Sequence, residues 1–496
     1  MKKKLLFVAA LICALQAFSQ TIYTVSSTGT NTGTSFTTIK AAITAAAASG
    51  DTIKVAAETF TEKNITFPSS TPKSITIKGA GMSKTIVQAF ATSNNTPATD
   101  CGVFKLDGVY SSPITITIQD MTIQNGYNSS NGGGIRLFSS GAATATLNLT
   151  NLKVVNNTGY AGGGVYVAPS TTAGSLGGGL IVNINSCNIS SNTGNTTNAV
   201  GGGLFINTNP GYALNATIKN STFSFNATTG NGGGIAVYCP PTTSSATVTH
   251  ALTVENTTIY KNSCSTAAKL GGGIDFRPAA SASTNNTQIL ILNHCTIVAN
   301  TTNAAAGGDG VCIENNYQTT VVMNNSIIMG NSGSTTNISQ IGIGAASQAK
   351  ITNGGVNNNI IGIITGGTWA TGTNNTVCTP ATTGALLMST VLSNLAFPTL
   401  DNSALSADAT PVLLIGSTST AKDYVVTNSL SPALTTDQIG NPRSGNTDAG
   451  AYEYNSSLAI AASAIGGSVT SGTGAFASQA MEQQSQNCIA MANPLL

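Results

Sequence analysis

The chain has 496 residues, a formal net charge of +2 and only 7% charged residues, where an average soluble protein has roughly 25%. No run of lysine or arginine occurs beyond Lys2-Lys3-Lys4, so the basic surface that nucleic acids or anionic lipids require is missing. Isoleucine, valine and leucine nevertheless recur at regular places, which excludes a disordered chain.

Residues 1–19 are predicted to be a cleaved signal peptide. A basic start is followed by an apolar run from Leu5 to Phe18 and by the small-residue site Ala17-Phe18-Ser19, which is typical of signal cleavage. The run is shorter than the about 20 residues that a membrane-spanning helix needs. We therefore expect cleavage after Ser19, a secreted or cell-surface protein, and no transmembrane segment in the mature chain.

Residues 20–113 are expected to form an N-terminal cap and the first coils of a stack. A helix is predicted over about Thr38 to Ala48, because Ile39 and Ile43 fall on one face and can cover an open end of strands. Three segments of this region resemble the N-terminal region of pectate-lyase-like proteins: Thr38-Ile39-Lys40-Ala41-Ala42-Ile43, Gly50-Asp51-Thr52-Ile53 and Phe60-Thr61-Glu62. The resemblance implies an all-β, right-handed parallel β-helix solenoid with a short capping helix.

Residues 114–332 carry a regular repeat. Six glycine runs are each followed by a short apolar segment, and their first residues are Gly132, Gly162, Gly201, Gly232, Gly271 and Gly307. Between them lie segments of strict period two, such as Ile114-Thr115-Ile116-Thr117-Ile118, which indicate strands with one buried face. The runs recur every 30 to 39 residues, and a repeat of this length predicts a solenoid in which each coil packs only on its neighbours.

A second marker, an apolar residue three positions before an asparagine, occurs six times: before each glycine run from Gly162 onward, and once more after the last run. The asparagines are Asn157, Asn192, Asn226, Asn262, Asn300 and Asn331. Asparagine tolerates left-handed backbone geometry, and its amide both donates and accepts, so we expect a hydrogen-bonded turn ladder. The paired markers resemble the Gly-Gly-Ala-Ile and Phe-x-x-Asn repeats of chlamydial polymorphic outer-membrane proteins, a resemblance that implies an adhesin-like surface protein.

The glycine runs also predict which side chains face outward. The first and third residues after each run are apolar in all six repeats, so they face the core, and the second and fourth face away from it. We call the aromatic and charged members of the second set the outward strip. They are Arg136, Phe138, Tyr166, Phe205, Tyr238, Asp275, Arg277 and Glu314.

The outward strip is the predicted binding surface for a glycan or a protein partner, since aromatic and arginine side chains anchor both kinds of ligand. The alternative is that the long loops fold over the strip and bury its aromatics. Both interpretations stay open at the level of the sequence.

Residues 333–454 are expected to hold less regular coils and a closing segment, and residues 455–496 form a low-complexity tail. The stretch from Ser431 to Glu453 resembles the terminal segment of bacterial β-helix proteins of the choice-of-anchor type. Within it, Asp437, Arg443, Asp448 and Glu453 are predicted to form a cluster of ion pairs and hydrogen bonds.

Catalytic chemistry has little support in the sequence. Enzymes with this fold need clustered carboxylates with a lysine or arginine, whereas this chain has arginine only at 136, 277 and 443 and histidine only at 250 and 294. Asp275 with Asp309, and His294 with Cys295, are interpreted as structural, and no cofactor or metal is expected. The prediction is a non-catalytic adhesive protein; the alternative is a polysaccharide lyase or hydrolase with an unrecognised site.

Cysteine usage leaves the disulfide question partly open. Eight cysteines remain after the predicted cleavage, an even number that favours disulfides in an exported protein. Cys187 and Cys295, however, occupy the same position in coils three apart, about 14 Å at ~4.8 Å per coil, which is too far for a disulfide. We expect these two to fill the core.

Overall fold

The computed structural model describes most of the chain between residues 20 and 454. The described residues are 20–46, 49–67, 73–93, 100–139, 141, 143–169, 178–195, 199–208, 212–239, 248–278, 286–303, 308–313, 319–333, 340–343, 351–362, 364–365, 374–377, 408–415, 419–426, 430 and 432–454. The predicted signal peptide and the predicted tail lie outside them.

The fold is the predicted right-handed parallel β-helix, formed by three parallel sheets. In a typical coil the chain passes through the 21-stranded long sheet, turns into the six-stranded corner sheet, crosses a glycine run, and enters the ten-stranded glycine-run sheet. A loop then returns the chain to the long sheet one coil further on. Every pair of neighbouring strands is parallel because each strand binds its equivalent in the next coil, as where Ile135 pairs with Val165.

The long sheet supplies one or two strands to each coil. Its strands are Ile22–Val25, Ser35–Phe36, Asp51–Val55, Thr59–Thr61, Ile75–Lys78, Ile86–Gln88, Ile114–Gln124, Ala145–Val155, Gly179–Asn185, Asn188–Ser190, Ala213–Lys219, Thr222–Ser224, Val248–Glu255, Thr258–Tyr260, Asn286–Asn293, Thr296–Val298, Thr319–Asn324, Ile327–Met329, Ile351–Asn357, Ile360–Ile361 and Thr376–Val377.

The two other sheets close the coil. The corner sheet comprises Tyr127–Asn131, Thr158–Ala161, Thr193–Gly194, Ala227–Thr228, Ser263–Ala267 and Thr301–Asn303. The glycine-run sheet comprises Ile65–Thr66, Phe104–Gly108, Ile135–Ser139, Val165–Pro169, Leu204–Asn207, Ile235–Cys239, Ile274–Pro278, Val311–Ile313, Ile341–Ile343 and Ile364–Thr365.

A single apolar core runs along the solenoid axis. The isoleucines of the period-two segment alternate with threonines, and Ile116 and Ile118 are fully buried. Leu147 and Val182 stack on Ile116 in successive coils. Burial of apolar surface contributes about 25 cal/mol per Å², so a strand that slipped by one residue would expose every side chain that it now buries.

The N-terminal helix, Ile39–Ala45, covers the first coil as predicted but is shorter than the expected span from Thr38 to Ala48. The hydroxyl of Thr38 accepts from the Ala41 N–H at 3.2 Å, and the Glu62 carboxylate accepts from two further first-turn amides at 2.8 Å. Both contacts satisfy donors that a helix start leaves open. Ile39, Ala42 and Ile43 are buried against the strands beneath. The described part of the chain contains no helix that is long and apolar enough to cross a membrane.

The asparagine ladder is confirmed. All six asparagines are fully buried, and the Nδ2 of each donates to the Oδ1 of the next at 2.8 to 3.0 Å, from Asn157 through Asn331. Gln340 continues the ladder by accepting from Asn331 at 2.8 Å. Because each amide also donates to a backbone carbonyl, the ladder satisfies polar groups of the corner at every coil.

One detail of the predicted turn is wrong. The left-handed residue is not the ladder asparagine but the residue before it: Asn156, Ser191, Phe225, Lys261 and Ala299 have φ of 51 to 57°. A second left-handed position, six residues before each ladder asparagine, bends the long sheet at Asn151, Ser186, Asn220, Asn256, His294 and Asn325. The ladder asparagine itself must keep its amide inside the coil, so the preceding residue makes the turn.

All six described cysteines are buried, and Cys187 and Cys295 do more than fill space. Each lies just after the second left-handed position, where other coils have Ser221, Thr257 or Ser326. The Cys187 Sγ donates to the Asn185 carbonyl at 3.3 Å, as the Ser221 Oγ donates to Lys219 at 2.6 Å. Burial raises the pKa of Cys187 to about 12, so the thiol keeps its proton. Cys378 and Cys488 lie outside the described residues.

Replacing Cys187 or Cys295 by serine is therefore expected to change the free energy of unfolding by less than about 1 kcal/mol, because the hydroxyl repeats a contact made in neighbouring coils. Replacement by valine, similar in size but without a donor, should cost about 2 kcal/mol or more. Urea titration of the four variants measures both values. Serine variants that are less stable than the valine variants would contradict the assigned role.

The described residues of the closing segment, 408–415, 419–426, 430 and 432–454, lie lengthwise on the outside of the long sheet. The predicted cluster forms: Arg443 Nη1 contacts Glu453 Oε2 at 2.8 Å, and the Asp448 N–H donates to the same oxygen at 3.0 Å. Asp437 accepts from the Ile439, Asn441 and Glu453 amides. Burial raises the pKa of Glu453 to about 7, against the opposing effect of Arg443.

The segment touches a series of consecutive coils. Gln438 bonds both Thr222 and Thr258 at 2.7 Å, the Ala451 N–H donates to Thr296 at 2.9 Å, and the Gly450 N–H donates to Asn325. An apolar cluster separate from the main core lies between segment and sheet, with Val412, Leu413 and Tyr452 on one side and Val298 and Ile327 on the other.

Candidate functional site

The outward strip lies on the outer face of the glycine-run sheet. The twelve apolar residues predicted to face inward are all buried in the main core, whereas their neighbours form a different cluster on the other face. In register across the coils, Arg136 pairs with Tyr166, Tyr166 with Phe205, and Tyr238 with Arg277. The predicted orientation is thus confirmed.

The aromatic side chains of the strip stack on each other along the solenoid. The ring centroids of Tyr166 and Phe205 are 5.7 Å apart, and those of Phe205 and Tyr238 are 5.1 Å apart in an edge-to-face arrangement. Such pairs contribute about 0.5–1.5 kcal/mol beyond their buried area. The stack therefore stabilises this face whatever it binds.

Tyr166 and Phe205 are only 6% exposed, so their rings do not offer open faces to solvent. Ala161 and Val200, which immediately precede the glycine runs of their coils, belong to the same cluster as the two rings. The left-handed glycine at the head of each run, such as Gly162 with φ 60°, turns the chain so that the preceding residue lies beside the ring. The long loops after these strands, residues 170–177, 209–211 and 240–247, lie outside the described residues.

The two ends of the strip are more accessible and carry charge. The Arg136 side chain is 16% exposed; its guanidinium lies 5.2 Å from the Phe138 ring centroid, and its Nε is 3.0 Å from Asp107 Oδ1. Burial raises the pKa of Asp107, and the Arg136 charge opposes that shift. The Arg136 guanidinium is thus positioned by both a carboxylate and an aromatic ring.

The opposite end repeats this arrangement four coils away, about 19 Å at ~4.8 Å per coil. The Arg277 side chain is 25% exposed, lies 5.0 Å from the Tyr238 ring centroid, and contacts Asp275 Oδ2 at 3.2 Å. Asn231 donates to the Tyr238 hydroxyl at 3.0 Å. Glu314, the remaining member of the strip, lies outside the described residues.

The two candidate catalytic pairs occupy enclosed positions. Asp275 and Asp309 are both fully buried, and Thr302 donates to Asp309 at 2.6 Å. His294 lies at a left-handed turn (φ 49°) between two strands of the long sheet. Burial lowers the pKa of His294 well below its usual range and raises that of Cys295, so an imidazolium–thiolate pair is disfavoured. Among the described residues, no three His, Cys, Asp or Glu side chains converge on a possible metal site.

Comparison with known proteins adds little beyond the fold. No protein-family model matches the sequence, and no curated protein sequence matches it. Among solved structures, the chain is similar to the crystal structure of pectate lyase Pel9A, with 16% sequence identity and a TM-score of 0.40, over 88% of this chain and 98% of that one. This similarity is too distant to carry over a site or an activity.

Proposed function

We propose that the protein is a secreted or cell-surface β-helix protein without catalytic activity, which mediates adhesion by binding an extracellular glycan along the outward strip. A cell-surface protein is the other class of ligand that this surface fits. The observation that carries the proposal is the placement of two of the chain's three arginines on aromatic rings at the two ends of one stacked strip.

Charge is scarce in this chain, so its placement is informative. Only 7% of residues are charged, yet the strip holds two arginines, each beside a carboxylate. A guanidinium that lies on a ring keeps a fixed orientation and a permanent charge, and its fork of N–H groups suits carboxylates, sulfates and vicinal hydroxyls. The third arginine, Arg443, is part of the closing cluster, where it donates to Glu453 and to the Gly450 carbonyl.

The buried rings support the ends of the strip rather than contacting a ligand themselves. Phe205 contacts the rings on both sides of it, Tyr166 and Tyr238, so the stack fixes the position of Tyr238 and, through it, of Arg277. A ligand is therefore expected to contact Arg136 with Phe138 at one end and Arg277 with Tyr238 at the other. Two rigid contact points are preorganised, which lowers the entropy cost of binding.

Replacing both arginines by glutamine is expected to weaken binding on a glycan array about tenfold or more, because charge-assisted hydrogen bonds are lost. The matched control is Lys153→Gln, which removes an exposed positive charge from the long sheet. Circular dichroism confirms that the fold is kept. Equal binding by Arg136→Gln/Arg277→Gln and wild type would refute the proposed surface, and release of products from neutral or acidic polysaccharides would instead favour an enzyme.

A further inference from the structure

A ridge of left-handed residues runs along the corner between the long sheet and the corner sheet, away from the outward strip. It includes Asn156, Ser191, Phe225, Lys261 and Ala299, whose preceding residues pair coil by coil. The side chains of Asn156, Ser191 and Phe225 are exposed. Because the strands before these residues pair in parallel, successive members are about 4.8 Å apart along the solenoid.

Phe225 has a backbone conformation that is unfavourable for a bulky side chain. Its φ of 56° is a region that Asn, Asp and Gly tolerate but that a bulky side chain adopts at a cost. Burial does not compensate, because the side chain is 47% exposed. Strain of this kind persists where the surrounding structure enforces it, and it concentrates at functional positions.

The surroundings of Phe225 form a rigid platform. Its ring meets Tyr260 edge-to-face with centroids 5.6 Å apart, and Tyr260 is itself buried beneath the closing segment. The Lys261 Nζ lies 5.9 Å from the Phe225 centroid and 5.3 Å from that of Tyr260. Asn156 and Ser191, both exposed, add hydrogen-bonding groups on the side of the preceding coils.

We propose that Phe225 and Lys261 form a second glycan-binding site, in which the Phe225 ring packs on the apolar face of one sugar and Lys261, Ser191 and Asn156 bond the hydroxyl or acidic groups of its neighbours. The class of ligand, a glycan, rests on the proposed function, whereas the choice of residues does not. A linear glycan fits because the ridge places polar groups in a row on both sides of one aromatic ring, at intervals comparable to the length of a sugar unit.

The test uses the full-length protein in native affinity gels containing xylan, glucomannan or alginate. The Phe225→Asn variant should bind the polysaccharide about tenfold more weakly, and so be retarded less, because the stacking surface is gone. It should also raise the midpoint of thermal unfolding by about 1 to 3 °C, because asparagine fits the left-handed turn. Tyr160→Ala, which removes another exposed aromatic, 42% exposed and on the corner sheet, is the matched control and should behave as wild type. Lys261→Gln separates the ligands, as it should weaken alginate binding more than xylan binding.

Three results would overturn the inference. The first is a Phe225→Asn variant that is less stable than wild type, which would make Phe225 a packing residue. The second is equal loss of retardation in Tyr160→Ala. The third is that the wild-type protein itself is retarded in none of the three gels. If Phe225→Asn binds normally while Arg136→Gln/Arg277→Gln does not, the second site fails and the proposed function stands; the reverse pattern refutes the strip and keeps the second site.

Discussion

Asn157→Ala is expected to destabilise the solenoid by about 3 to 5 kcal/mol, a large effect for one polar side chain. The Asn157 amide donates to the Ile123 carbonyl at 3.1 Å and to Asn192 at 3.0 Å, and it accepts from the Gly126 N–H at 2.9 Å. All of these groups are buried, so alanine leaves several without a partner, in a cavity. Urea titration with hydrogen exchange of the neighbouring coils measures the loss.

The matched control is the adjacent Asn156→Ala. Asn156 is exposed and left-handed, so its replacement should cost about 1 kcal/mol through backbone strain alone. If the two variants lose equal stability, the ladder contributes no more than the turn, and its assigned role is wrong.

Gly202→Ala is expected to destabilise the solenoid by about 3 to 5 kcal/mol. A Cβ on Gly202 would lie 2.5 Å from the Ala227 carbonyl oxygen and 2.6 Å from that of Gly233. Both atoms belong to the backbone of the next coil and cannot rotate away. The variant should therefore force neighbouring coils apart and show low expression or a lowered thermal midpoint.

Gly179→Ala is the corresponding control in the long sheet. Its added Cβ would find its nearest neighbour at 3.6 Å, without a left-handed backbone, so stability should change by less than about 1 kcal/mol. A destabilisation of Gly179→Ala as large as that of Gly202→Ala would show that the close approach of coils is not the cause.

The sequence was sufficient to predict the coil and the residues that face its core, because two independent signals agree in every repeat. Glycine runs fix a position where backbones meet, and alternating apolar residues fix which side chains point inward, as at Ile135 and Leu137. The left-handed turns were harder to assign. The residues at these turns are of types as different as Asn156 and Phe225, so residue type does not identify them. The second turn has a constant spacing, six residues before each ladder asparagine, which could have located it.

The candidate site was only partly predictable. Sequence alone showed that Tyr166 and Phe205 point away from the core, but not that they pack in one cluster with Ala161 and Val200, whose position follows from how the glycine run turns. The closing cluster was predictable from the charges of Arg443 and Glu453. Its place across the long sheet was not, since contacts such as Gln438 to Thr222 join residues 216 positions apart with no local pattern.

The lengthwise closing segment alters the mechanics of the stack. A coil that contacts only its two neighbours can peel away from a free end, one unit at a time. Here the closing segment is bonded to Thr222, Thr258, Thr296 and Asn325 in successive coils, so peeling any one of these coils also pulls on the others. Under a tensile load along the axis, the coils that the closing segment joins should rupture in one step rather than unzip one at a time.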